Sequence, residues 1–216
     1  MRLIDRAGLV AEIRARAAGR ARFLVALTGP PGAGKSTLAA TLASDLGGQA
    51  AVLPMDGFHL DNDRLRQLGR LARKGAPDTF DVAALAATLD RVRAGGPVAC
   101  PGFDRAADRT LPGALRIRAD TRIVLVEGNY LTLTTAPWSG LARFFDLTVA
   151  LDLDRAALAA RLIRRWRDHG LTEAAARARV AGNDLPNADT VARRARAPDF
   201  LLRGDAPRAK GPDRHR

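Results

Sequence analysis

Apolar residues fall along this chain in short continuous runs, separated by longer segments in which they recur at helical spacing. The runs at about 22–28, 50–55, 123–127, 145–151 and 199–202 read as buried strands. Residues 3–18 set Leu3, Leu9, Val10 and Ile13 on one side and arginines on the other, as an amphipathic helix does. Further helices are expected from 35 to about 46, near 61–69, and from Phe80 to about 94, where Gly95-Gly96-Pro97 stops the last. Another is capped by Asp154, and two short ones follow at 172–181 and 187–195. Residues 98–103 and 114–119 alternate apolar and polar positions and suit a hairpin across the loop from Asp104 to Pro112. Strands that alternate with helices and are apolar throughout require a mostly parallel sheet covered by helices on both faces, a three-layer α/β architecture.

The first strand runs straight into Gly29-Pro30-Pro31-Gly32-Ala33-Gly34-Lys35-Ser36-Thr37 and then into a good helix-forming segment. In that strand–GxxxxGK[ST]–helix context the stretch reads as a phosphate-binding loop. Its glycines allow a tight turn that aims successive backbone N–H groups at a polyphosphate, and the helix opening at Lys35 adds free amides and a dipole. Lys35 supplies a point charge for the β- and γ-phosphates, and Ser36 a hydroxyl ligand for Mg²⁺.

Composition narrows the setting. The 216 residues, 47% of them hydrophobic, suit one domain (1–202) with a small lid at about 161–182. Residues 203–216 mix Gly, Pro, Arg and Asp and read as a disordered basic tail. No apolar run approaches the ~20 residues that cross a bilayer, and the N-terminus carries no secretory pattern, so no membrane association and a cytoplasmic location are expected. The lone Cys100 excludes an internal disulfide and a cysteine-based metal cluster, and suits a small buried hydrophobe. The net charge of +12 suggests nucleic acid, but it is carried almost entirely by Arg beside abundant Ala, the mark of a GC-rich coding bias. With aromatic residues at 5%, nucleic acid is not the expected partner.

In such a sheet ligands gather beyond the carboxyl ends of the strands. Glu127 closes the strand at 123–127 in the position of a Walker-B acid, and is assigned to Mg²⁺ and its waters. Asp56 ends the second strand in a Gly-containing turn and is assigned as the base that takes a proton from an attacking hydroxyl, against the alternative of a turn residue satisfying its own loop. His59 could bond a substrate hydroxyl or pack as a loop histidine. Arg161 and Arg164 lie one turn apart, with Arg165 beside Arg161 at i+4, and could reach over the phosphates or form a solvated basic face. Arg73 and Lys74 lie in a loop suited to an anionic or polyhydroxylated substrate, or to a surface charge pair.

Taken together, the phosphate loop, Met55-Asp56-Gly57-Phe58-His59, the stretch from Arg73-Lys74-Gly75-Ala76-Pro77 to Phe80-Asp81, Val126-Glu127-Gly128-Asn129-Tyr130 and Asn183-Asp184-Leu185-Pro186-Asn187 resemble the P-loop small-molecule kinases. That family includes uridine kinase, bacterial pantothenate kinase and phosphoribulokinase, and the pieces run in family order over about residues 20–202. The chain looks most like a bacterial nucleoside/nucleotide kinase-like branch, also described as fructose-transport-system kinases. The resemblance implies the three-layer P-loop NTPase fold with a small helical lid, ATP and Mg²⁺ as cofactors, and a small-molecule acceptor. It implies Asp56 as the activator of the acceptor hydroxyl, Arg161 and Arg164 as lid arginines, and Asn187 near the adenine. Asp81 and Tyr130, in the matching stretches, join Asp56, His59, Arg73 and Lys74 as candidate substrate contacts. The function expected is transfer of the γ-phosphoryl group of ATP to a hydroxyl of a sugar, nucleoside or pantothenate-like metabolite. The alternatives are a regulatory P-loop ATPase without a small-molecule acceptor and a basic nucleic-acid accessory protein. The N-terminal helix and the 98–119 hairpin could each serve a homodimer.

Overall fold

The computed structural model of the protein describes residues 2–203. In chain order its elements are β1 (Arg2–Leu3), α1 (Arg6–Ala17), β2 (Phe23–Thr28), α2 (Lys35–Leu46), β3 (Ala50–Pro54), α3 (Asn62–Gln67) and α4 (Val82–Ala94). There follow β4 (Val98–Asp104), β5 (Arg109–Ile117), β6 (Ile123–Glu127), β7 (Leu147–Asp152), α5 (Arg155–Asp168), α6 (Glu173–Arg179), α7 (Leu185–Arg194) and β8 (Phe200–Arg203).

Each apolar run becomes a strand because both of its faces are covered. The main sheet has the order β1-β8-β7-β2-β6-β3, with every neighbouring pair parallel. Successive side chains of β2 alternate between two cores. Leu24 and Ala26 join Leu53, Val124, Val126, the α4 residues Leu85 and Leu89, and Tyr130 and Trp138 on one side. Phe23, Val25 and Leu27 join Leu125, Val149, Leu9 and Ile13 of α1 and Leu42 of α2 on the other. Three layers follow, as the alternation of strands and helices requires. A separate cluster, Leu158, Leu162, Val180 and Ala188, holds the helices after β7 together.

The N-terminal helix begins later than the apolar pattern predicts. Asp5 caps it by accepting from Gly8 N at 2.8 Å, while Arg2 and Leu3 extend as an edge strand on β8, and Leu3 stays 62% exposed. The hairpin forms as expected but is longer on its second arm, from Arg109 instead of 114, which shortens the tip to residues 105–108. A register shift between Cys100 and Gly102 bends it. The two short helices expected at 172–181 and 187–195 run together through a π-helical turn, Val180–Asp184, into α7, whose first turn accepts Pro186. Cys100 is fully buried. The tail from residue 204 lies outside the described residues.

The chain passes from β6 on one side of β2 to β7 on the other. That change of direction opens a crevice at the carboxyl ends of the strands. The registers bring three of these ends together: Glu127 is opposite both Leu27, just before the phosphate loop, and Pro54, just before Asp56.

Candidate active site

The crevice is a cleft of about 940 Å³, and the phosphate loop forms its floor. Gly32 and Gly34 hold φ values of 81° and 97°, which only glycine adopts without strain, and α2 starts directly after Gly34. Lys35 is 7% exposed and its Nζ donates to the Pro30 carbonyl at 2.9 Å. Burial pushes the ammonium down to about 8, and the nearby carboxylates of Glu127 and Asp56 only partly oppose that.

Ser36 Oγ donates to Glu127 Oε1 at 3.0 Å. Burial raises the Glu127 carboxyl above its ordinary value, although Lys35 and the Ser36 hydroxyl favour the charged form. A hydroxyl and a carboxylate side by side, both oxygen donors beside a phosphate loop, fit Mg²⁺, which takes few protein ligands and completes its shell with water and phosphate. Among the described residues no cluster of three or more His, Cys, Asp or Glu forms a metal cage.

The opposite end of the cleft is built from segments far apart in sequence. Asp56 lies in a 3₁₀ turn that only glycine could complete: a Cβ on Gly57 would sit 2.4 Å from the Pro101 carbonyl oxygen. This close approach seats the turn against the hairpin. Asp56 Oδ2 accepts from Arg105 of the hairpin tip at 2.6 Å. His59 Nδ1 lies 2.8 Å from the Asp56 carbonyl and so carries the ring proton there. Burial lowers the His59 imidazole below its ordinary value, against the pull of Asp56. Its ring packs at a tilt against Phe80 and Phe103, with centroids 4.1 and 4.7 Å away. Lys74 Nζ lies 5.0 Å from the Phe103 ring centre and donates to Asn62 Oδ1 at 2.7 Å.

The helices after β7 close the cleft from above. Arg161 reaches over the phosphate loop, its guanidinium 4.0 Å from where a Cβ on Gly34 would stand. Arg165, one turn on and therefore on the same face, lines the cleft. Burial lowers its pKa, with Arg105 adding to the effect. Arg179 stacks over Trp166 at 4.3 Å and also lines the cleft. Trp166 Nε1 donates to Asp184 Oδ2 at 2.7 Å. Asn183 Nδ2 donates to the Lys74 carbonyl at 3.1 Å, and Asn187 Nδ2 to the Gly75 carbonyl at 3.4 Å, which ties these helices to the Lys74 loop.

Of the residues singled out in the sequence, Pro31, Gly32, Gly34, Lys35, Ser36, Thr37, Asp56, His59, Lys74, Glu127 and Asn187 line this one cleft. Four do not. Arg164 is turned 100° from Arg165 on the same helix and lines a shallow groove with Arg167, Asp168 and Gly170. Arg73 is exposed at the end of a 3₁₀ turn, outside the cleft. Asp81 caps α4 through a 2.8 Å bond from Ala84 N, and Tyr130 is fully buried with its hydroxyl donating to Gly75 O at 2.6 Å. Both are built into the frame of the site. Arg105, Asn62, Asp108 and Arg179 carry no individual signal in the sequence, whereas Asn183 lies in a stretch that the resemblance covers. Arg105 and Asp108 fall in the loop from Asp104 to Pro112, which is marked only by the two alternating segments that flank it.

No family model matches the sequence. The chain is 38% identical over 187 residues to "Uncharacterized protein YggC" of Escherichia coli K12, across 84% of this chain and 77% of that one. It is 33% identical over 195 residues to "Putative uridine kinase C227.14" of Schizosaccharomyces pombe, across 84% and 83% of the two chains. A crystal structure of a "putative fructose transport system kinase" from Silicibacter sp. TM1040 superposes with a TM-score of 0.88 at 41% identity, covering 92% of this chain and 98% of the other.

Proposed function

The chain belongs to the P-loop small-molecule kinases, the family of uridine kinase, pantothenate kinase and phosphoribulokinase, and we propose that it transfers the γ-phosphoryl group of ATP to a hydroxyl of a small metabolite, with Asp56 taking the proton. The observation that carries the reading is that Lys35, the Ser36–Glu127 pair and Asp56 line one cleft.

The amides of the phosphate loop and Lys35 hold the β- and γ-phosphates. Ser36 and Glu127 would hold Mg²⁺, which when bound neutralises charge on the β- and γ-oxygens. Arg161 and Arg165, above the loop, meet the charge that develops on the phosphoryl group in flight. Asn187 is kept as the candidate adenine contact, and its side chain donates to the Gly75 carbonyl beside the Lys74 loop. At the other end Asp56 accepts the proton of the acceptor hydroxyl as its oxygen bonds the γ-phosphorus and the bond to the bridging β,γ-oxygen breaks, releasing ADP. His59, Phe80 and Phe103 give the acceptor's carbon skeleton an aromatic wall of tilted rings, with Lys74 against Phe103.

The test is consumption of Mg·ATP against a panel of nucleosides, pantothenate, sugars and sugar phosphates, with Asp56→Asn as the control. Stimulation by one acceptor class, lost in the variant, is the expected result. Slow ATP hydrolysis indifferent to every acceptor, and persisting in Asp56→Asn, would instead favour a regulatory ATPase.

A further inference from the structure

The hairpin tip is held in place by a strained residue. Asp108 has φ 49°, the left-handed region that a non-glycine residue enters only at a cost. Its side chain accepts from Lys74 Nζ at 2.9 Å and from Asn62 Nδ2 at 3.1 Å, and its carbonyl accepts from Lys74 Nζ at 2.9 Å. At the other end of the tip Asp104 Oδ1 accepts from the N–H groups of Ala106 and Ala107, both at 3.0 Å. These bonds fix the turn that carries Arg105, and they aim its guanidinium at Asp56.

Arg105 therefore stands in front of the carboxylate that an acceptor hydroxyl has to reach. The pair is open enough to part, with side chains 47% and 26% exposed, and an ion pair so hydrated is weakly held. A guanidinium exchanges one oxyanion for another readily, because its fork fits carboxylate and phosphate alike. The other acid on this wall, Asp108, is already held by Lys74 and Asn62. An arriving hydroxyl without an anion of its own would have to compete with Arg105 for Asp56. An arriving anion would draw Arg105 away.

We infer that Arg105 recognises a carboxylate or phosphate on the acceptor, and that this exchange of partners frees Asp56 for the hydroxyl. The substrate class is then a hydroxylated acid or a sugar phosphate, in place of a neutral polyol or nucleoside. This deepens the reading above and rests on Asp56 as the proton acceptor. The oxyanion sits on Arg105, since the three donors of Lys74 are already taken by Asn62 and Asp108, while the hydroxyl lies between Asp56 and the γ-phosphate. Arg105 is thus a specificity-determining residue that also gates the base.

The experiment uses matched sets sharing one skeleton: glycerol, glycerate and glycerol 3-phosphate; ribose, ribonate and ribose 5-phosphate; and further neutral parents with their acids and phosphates. Each is assayed with the wild-type chain, Arg105→Ala and Arg105→Lys, by kcat and KM separately, and by calorimetric binding without nucleotide. In the wild type an anionic member should exceed its neutral parent by about 10²-fold in kcat/KM, the scale of one hydrogen-bonded charge pair at a half-exposed site. Arg105→Ala should reduce that preference to about threefold or less, mainly through KM and with matching loss of binding, and Arg105→Lys should restore part of it because it keeps the charge but not the fork. Whether the acid or the phosphate leads tells which oxyanion is read. A neutral parent used as well as its charged partners, or a preference that survives Arg105→Ala, overturns the inference. If that neutral acceptor still depends on Asp56, the kinase reading stands without it. Failure of every acceptor to stimulate turnover sinks both.

Discussion

The two ends of the cleft are made in different ways. The nucleotide end is nearly all one continuous stretch, Gly29 to Thr37, with Glu127 beside it across a strand register. Its chemistry resides in backbone amides, whose aim follows from local glycine conformations and the start of a helix. The acceptor end takes Asp56 and His59 from one turn, Lys74 from a loop, Arg105 and Asp108 from a hairpin tip, and its aromatic wall from Phe80 and Phe103. Its geometry is tertiary. A site that binds one invariant ligand can be written locally, whereas a site that selects among ligands is assembled from long-range contacts that can vary without disturbing the first.

The largest effect expected from that division is on Lys35. Lys35→Ala should lower kcat/KM about 10³-fold with every acceptor alike, the scale of removing one preorganised donor from the transferring phosphate. A loss confined to one acceptor class would break the division. Next in size is a pair on a single helix. Arg165→Ala should cost about 10²-fold in kcat, while Arg164→Ala, which faces the outer groove, should stay within about twofold. The reverse order would show that α5 presents its other face to the nucleotide.

A smaller, graded effect comes from pH. Lys35 titrates at about 8 because it is buried, so above that pH the free protein has lost the charge that meets the phosphates. Affinity for a non-hydrolysable ATP analogue should be flat below about pH 7 and fall by up to roughly tenfold per unit well above pH 8, with proton uptake on binding. Calorimetry in buffers of different ionisation enthalpy measures that uptake; a flat affinity from pH 7 to 9.5 would remove Lys35 from the account. The smallest effect is at Asp81. Asp81→Ala should lose an N-cap worth about 1 kcal/mol and lower the melting temperature by a few degrees, leaving kcat/KM unchanged. A large rise in KM would return Asp81 to the acceptor site.

How much of this was legible in the sequence follows the same division. The strands were readable because burial on both faces leaves continuous apolar runs such as Ile123–Val126, and the phosphate loop because its pattern is bounded by a strand and a helix. Asp56 and Glu127 could be placed because each ends such a strand. Arg164 could not be separated from Arg165 by composition, since the choice depends on how Leu158 and Leu162 seat α5 on Val180. Tyr130 and Asp81 match family stretches, but a matching position does not say whether a side chain faces a ligand or the frame. Arg105 is one arginine among many in the sequence. It becomes distinctive only when Gly57 lets the hairpin approach and Asp108 fixes the tip.

The most direct test of the division is made on one variant, Asp56→Asn, with two readings from the same preparation. ATP-analogue affinity by calorimetry should match the wild type within about threefold, while single-turnover phosphoryl transfer to the best acceptor should fall by about 10²–10⁴-fold. Transfer at the wild-type rate, or a loss of nucleotide affinity as large as the loss of transfer, would contradict the account, because Asp56 would then belong to the frame or to the nucleotide end.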